Sequence, residues 1–429
     1  MLPLAEMHSL FRTYEEQMKS ELHLNEGEDL SLDHALEDPH NRETWHLECQ
    51  LLQLLGRSED TLTIVDHAIE HTGADADLLC IKARARLRMG DVDEAMADVE
   101  HALQLDPHHS KSLFVRGNAL AMSNRNEEAL QSLDQGFQLD PHYSKAWRLH
   151  GQILLDVWRL EDALESLDRA IKLDPRDSEA WFLHGHALVD LGRHHEALES
   201  LEHAIKLDPQ DSDAWLLHGR AQDGLWSFEE ALQSLDRAIE LDPEDSKIRY
   251  FHGNVLANAG RCEEALRSLD RCIQLDPQGA PPLLLRGDVL GQLGRYQEAL
   301  HSLESAIELD PGNSDAWFFH GQILLQLGRH DDALSSLGRA FTVDPSNPAI
   351  LLVCAHDLAI LGRYHEALNM LDDAIAQEPD NSDAWGLKGD LLLERGEVHE
   401  GREALEKAAA LGHSLAQGRL HELREAGVL

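Results

Sequence analysis

The chain has 429 residues, 42% of them hydrophobic, and its 79 acidic and 37 basic side chains give a formal net charge of −42. Such a surface repels nucleic acid and anionic lipid, and no run of about 18 apolar residues, the length that spans a bilayer, occurs. The apolar residues are ample for a core and are spread evenly, so neither a membrane protein nor a nucleic-acid binder is expected.

At the N-terminus, residues 1–22 mix acids and polar residues and lack the basic stretch and apolar core of a secretory signal. The five cysteines, at 49, 80, 262, 272 and 354, form no CxxC pair and fall in helical pattern, where a free thiol acts as a small hydrophobe. Reduced thiols without a leader point to the cytoplasm. Residues 1–41 contain Pro39 and a short helix-like stretch, 30–36, which reads as a degenerate first repeat serving as a cap.

From there a single spacing governs the sequence. Proline stands at 107, 141, 175, 209, 243, 277, 311, 345 and 379, each 34 residues from the last, and the comb extends back through Gly73 to Pro39. The text before a typical tooth is helical and ends in Leu-Asp-Pro, as in residues 166–175. Proline cannot continue a helix and pushes the residue before it out of helical geometry. A serine three residues beyond the proline, at 110, 144, 178, 212, 246, 314 and 382, suits the N-cap of the next helix.

Taking that serine as slot one, eleven units start at 42, 76, 110, 144, 178, 212, 246, 280, 314, 348 and 382 and run to residue 415. Slot eight is Gly in eight units and slot twenty is Ala in nine. Glycine inside a helix costs about 1 kcal/mol against Ala, so its recurrence implies a neighbouring helix too close for a side chain. Slot four supplies the bulk, with Trp at 45, 147, 181, 215, 317 and 385. Slot fifteen is Gly at 192, 260, 294, 328 and 362, the mark of a helix end in left-handed geometry. Each unit is therefore helix A, a tight turn, helix B and a proline-ended turn. The fold class is all-α, an α-solenoid of antiparallel hairpins. The final residues, 416–429, form a charged helix that closes the stack.

This pattern resembles the tetratricopeptide repeat family. Residues 178–211 show it well, with Trp181, Gly185, Ala197, Leu201, Ala204 and Pro209. Residues 405–416 look like a Sel1-like variant of the same hairpin. The resemblance implies a right-handed superhelix whose helices A line a concave groove that binds peptides or partner proteins. Some relatives hold a C-terminal carboxylate with an Asn at slot six. That slot is apolar in every unit here, so this mode is not expected.

No phosphate-binding glycine loop, GxSxG, HExxH or EF-hand pattern is present, and no catalytic residue, metal or cofactor is expected. Groove positions are read from slots two, five, nine and twelve of helix A, and slots five and nine supply the named candidates: Phe114, Asn118, Arg148, Gln152, Phe182, His186, Arg220, Tyr250, Asn254, Asp288, Phe318 and Gln322. Aromatic anchors beside amides and cations suit peptide recognition; the same aromatics would equally fill the inner wall against neighbouring repeats. Slot seven carries His150, His184, His218, His252 and His320. They read either as a half-buried polar seam bonded to the neighbouring repeat or as a metal- or pH-responsive ladder. Trp158 and Trp226 replace the glycine of slot fifteen and are rim contacts or packing over the adjacent turn.

The expected function is a non-catalytic scaffold that binds a protein or peptide, the acidity suiting basic segments. The alternative is a self-associating solenoid, a homo-oligomer or filament, and a regulatory subunit of a larger complex ranks behind both.

Overall fold

The computed structural model describes residues 45–425 apart from 47, 48, 51, 54 and 55. The expected cap over residues 1–41 lies outside these. The described residues are helical, joined by tight turns, and contain no strand. The chain divides into two compact units, residues 1–210 and 211–429.

In the first unit, a helix over Ser58–Thr72 precedes four complete hairpins. Their A helices begin at Ala76, Ser110, Ser144 and Ser178, and their B helices at Val92, Asn126, Leu160 and His194. In the second unit, A helices begin at Ser212, Ser246, Ala280, Ser314, Pro348 and Ser382, with a last helix over Ser414–Glu425. Each unit is an all-α solenoid of helix pairs.

The core of each hairpin follows from the repeated small and large residues. Leu167 and Leu201 in the first unit, and Leu235, Leu269 and Leu303 in the second, are 0% exposed, each worth about 1.5–3 kcal/mol of burial. They press on the slot-eight glycine of the facing helix. A Cβ placed on Gly151 would lie 2.5 Å from Leu167 Cγ and 3.3 Å from the Ala163 carbonyl oxygen. Slot-four tryptophans tie helix A to the turn before it: the indole N–H of Trp147 donates to the Pro141 carbonyl (2.9 Å) and that of Trp385 to Pro379 (2.9 Å).

One expectation about helix starts is corrected. The slot-one serine is the first helical residue, and the residue before it is the cap. Asp177 sits in extended geometry and accepts from the Ala180 N–H (3.2 Å), and Asp211, Asp245, Asn313 and Asn381 cap in the same way. With the backbone extended at this Asp or Asn, its short side chain reaches the free amides of the first turn.

The A-to-B turn is a left-handed cap. Gly192 has φ +71°, its N–H donates to the Val189 carbonyl, and the Arg193 N–H donates to Leu188 (2.9 Å). Trp158 and Trp226 keep the same geometry at φ +59° and +61°, a conformation that costs an L side chain roughly 1–2 kcal/mol.

Candidate functional site

The histidine seam is a set of stitches between helices. His150 Nδ1 lies 2.8 Å from Ser166 Oγ; the same bond joins His184 to Ser200 (2.9 Å), His218 to Ser234 (2.9 Å), His252 to Ser268 (2.6 Å) and His320 to Ser336 (3.0 Å). Ser166, Ser200 and Ser336 also donate to a carbonyl four residues back in their own helix. Their oxygens are thereby left to accept from the imidazole Nδ1–H.

The other ring nitrogen faces a carboxylate of the preceding repeat: Asp134 for His150 (3.6 Å), Asp168 for His184 (3.6 Å) and Asp236 for His252 (3.3 Å). Burial pushes the pKa of His150, His184, His252 and His320 down, and these carboxylates, with Glu304 beside His320, only partly oppose it. Where slot seven holds a permanent cation, the same pairing appears as Lys82–Asp66 (2.6 Å) and Arg286–Asp270 (2.7 Å). Where the acid is replaced by Gly338, slot seven is the buried Cys354. The two positions change together, so the seam's positions follow inter-repeat pairing. Among the described residues no group of three or more His, Cys, Asp or Glu is placed to hold a metal ion.

Among the described residues, each unit has a concavity on its helix-A face. The first, of about 440 Å³, brings together Phe114, Asn118, Arg148 and Gln152 from the sequence-derived set. Phe114 is only 4% exposed. Its ring packs on Phe137 and Tyr143, with centroids 5.5 and 5.3 Å away, and a Cβ at position 136 would collide with it. Gly136, standing where nine other repeats have Ala, lets that ring sink into the wall, so Phe114 closes the floor of the concavity instead of projecting as an anchor. Arg84, Arg88, Met122 and Lys145 also line this space. Arg84 and Lys145 stand on slots nine and two, so their positions were legible in the repeat register; Arg88 and Met122 occupy slot thirteen, one position beyond the face read from sequence.

The second concavity, of about 390 Å³, includes Asp288 and Gln322 with Gln292, Gln326, Phe319 and Val353. Burial pushes the Asp288 carboxyl up, and Gln292 donates to it at 2.9 Å. The remaining groove positions are half-buried on the same slots. His186 packs near Phe182 and faces Asp190 (3.3 Å), the Arg220 guanidinium lies 4.9 Å over the Phe251 ring, Tyr250 meets Phe251 edge-on, and Phe318 meets Phe319. Asn254 is half-buried beside them in sequence register. Trp158 and Trp226 are 74% and 78% exposed, and Trp226 has only an edge contact to Phe228 (5.8 Å) among ring neighbours.

Stacked antiparallel helix pairs with a 34-residue register, a Trp–Pro tie and left-handed interhelix turns define a tetratricopeptide solenoid, a class built for protein interaction. The chain belongs to this family: residues 33–281, more than half of it, match the family model described as the cilia and flagella-associated protein 70 C-terminal domain. Residues 284–348 and 358–424 match two further tetratricopeptide repeat models. Among solved structures it is similar to YrrB, a tetratricopeptide protein with an unusual peptide-binding site, at 26% identity over 42% of this chain and 92% of that one, TM-score 0.37. It is similar to the APC/C hetero-tetramer Cut9-Hcn1 at 13% identity over 90% and 91%, TM-score 0.47. It is also similar to MamA from Desulfovibrio magneticus RS-1 at 23% identity over 39% and 95%, TM-score 0.38. No match is found among the curated proteins.

Proposed function

We propose that the chain is a non-catalytic scaffold that binds a partner protein or peptide on its helix-A faces. The observation that carries this reading is the pair of concavities. Their lining includes side chains such as Asn118, Gln152, Gln322 and Gln326 that form no side-chain hydrogen bond among the described residues, whereas the seam, the Trp–Pro ties and the leucine core tie the helices together. A surface freed from the work of folding is where a solenoid can vary to suit a ligand.

Site-specific photo-crosslinking tests it. A photoreactive side chain at position 118 or 322 of the full chain should give protein adducts in extracts of the native host. The same group at position 199, exposed on a B helix, should not. Equal labelling from all three positions, or none from 118 and 322, would overturn the reading.

A further inference from the structure

We infer that the concave face of the first unit binds an acidic peptide segment that carries an apolar side chain. This rests on the reading that helix-A faces bind a partner, and it adds the partner's chemistry. In the whole chain acids outnumber bases, 79 to 37. Around this concavity the balance is inverted: Arg84, Arg88, Lys145 and Arg148 line it, and no acidic side chain does.

These cations come from the A helices starting at Ala76 and Ser144, which flank the A helix starting at Ser110. They surround an apolar floor that includes Leu87, Val115 and Leu149. Cations of this lining also have structural duties. Arg148 pairs with Asp177 (3.2 Å) and Glu179, and Arg88 donates to the Gln53 carbonyl. Arg84 has no hydrogen-bond or ion-pair partner among the described residues, and Lys145 is exposed on the first turn of its helix. The concavity of the second unit has no cation in its lining and is built of Asp288, amides and apolar residues, so the basic character is particular to the first.

A positive patch enclosed by a strongly negative exterior selects a short carboxylate-bearing segment. Long polyanions would meet the repulsive surroundings, and basic segments, which the overall acidity alone would suggest, are repelled at the site itself. The apolar floor supplies the place for a leucine or phenylalanine side chain between the carboxylates.

The test uses the full chain and fluorescence anisotropy of a labelled peptide, Glu-Asp-Leu-Glu-Phe-Asp-Glu, beside its amide counterpart, Gln-Asn-Leu-Gln-Phe-Asn-Gln. The acidic peptide should bind about tenfold or more tighter and should weaken several-fold between about 50 and about 300 mM NaCl. Arg84→Glu with Lys145→Glu should abolish that preference, and Arg84→Gln with Lys145→Gln should reduce it; Arg148 is left in place because its ion pairs belong to the fold.

If both peptides bind equally, the groove reading stands and the charge inference falls. An unchanged affinity in both charge variants, with far-UV circular dichroism showing them folded, also overturns it, as does failure of the acidic peptide to bind; crosslinking at position 118 then judges the groove reading separately. A single-stranded oligonucleotide of equal charge that displaces the peptide more effectively than the peptide displaces itself would overturn the choice of partner.

Discussion

Replacing glycine by alanine should have opposite signs at two positions of this chain. At Gly151, inside the helix Ser144–Asp156, the new Cβ would sit 2.5 Å from Leu167 Cγ and 3.3 Å from the Ala163 carbonyl oxygen. Leu167 is 0% exposed and has nowhere to swing. Overpacking of this kind costs about 1–3 kcal/mol, against about 1 kcal/mol gained from the better helix former. We expect a net loss of up to about 2 kcal/mol, read as up to roughly thirtyfold faster amide exchange across residues 144–173. In a Leu167→Ala background the space is vacated, and Gly151→Ala should then stabilise by about 1 kcal/mol, a coupling of about 1–3 kcal/mol. At Gly338, exposed inside the helix His330–Val343, a Cβ meets nothing within 4 Å, so Gly338→Ala should stabilise by about 1 kcal/mol. Hydrogen exchange by mass spectrometry suits both, because a solenoid's stability is largely a sum of local terms. A stabilising Gly151→Ala in the otherwise unchanged chain would refute the close approach as the reason for the slot-eight glycines.

Three further outcomes are expected. Because burial lowers the pKa of His150, His184, His252 and His320 from the ordinary 6.5, the unfolded chain binds more protons than the folded one as pH drops. Their contribution is complete above that value and is lost as pH falls through it towards the depressed one. The urea midpoint should therefore fall more between pH 7.5 and 5.5 than in a variant with all four changed to Gln, and equal falls would contradict the buried, neutral seam. Trp181→Phe removes the indole N–H that donates to Pro175 (3.1 Å) and should cost about 0.5–1.5 kcal/mol by urea unfolding; no loss would show that the tie is idle. Burial pushes the Cys272 thiol up to about 11 and Cys354 up to about 12, so at pH 8 a disulfide reagent should label the half-buried Cys262 first and reach Cys354 only on unfolding.

Much of the fold was legible because its signals are local. Proline at 34-residue intervals ends helices by its own geometry, slot-fifteen glycine takes the left-handed turn, and recurring Gly, Ala and Leu register which faces meet. The seam was legible only in part. The histidine column was visible, but its meaning lay in two other columns, the serines sixteen residues on and the acids sixteen residues back, and in the joint change to Gly338 and Cys354.

What the sequence by itself determined is the hairpin, its register and its repetition, because each depends on residues within one 34-residue unit. Tertiary structure alone decided three things: that the residue before the slot-one serine, and not the serine, takes the cap position, with Asp or Asn capping in several units; that Phe114 sinks beneath the groove into the space left by Gly136; and that Arg84, Arg88 and Lys145 share one concavity with Arg148. The last two depend on how successive units pack and which way their side chains turn, and no single unit carries that information.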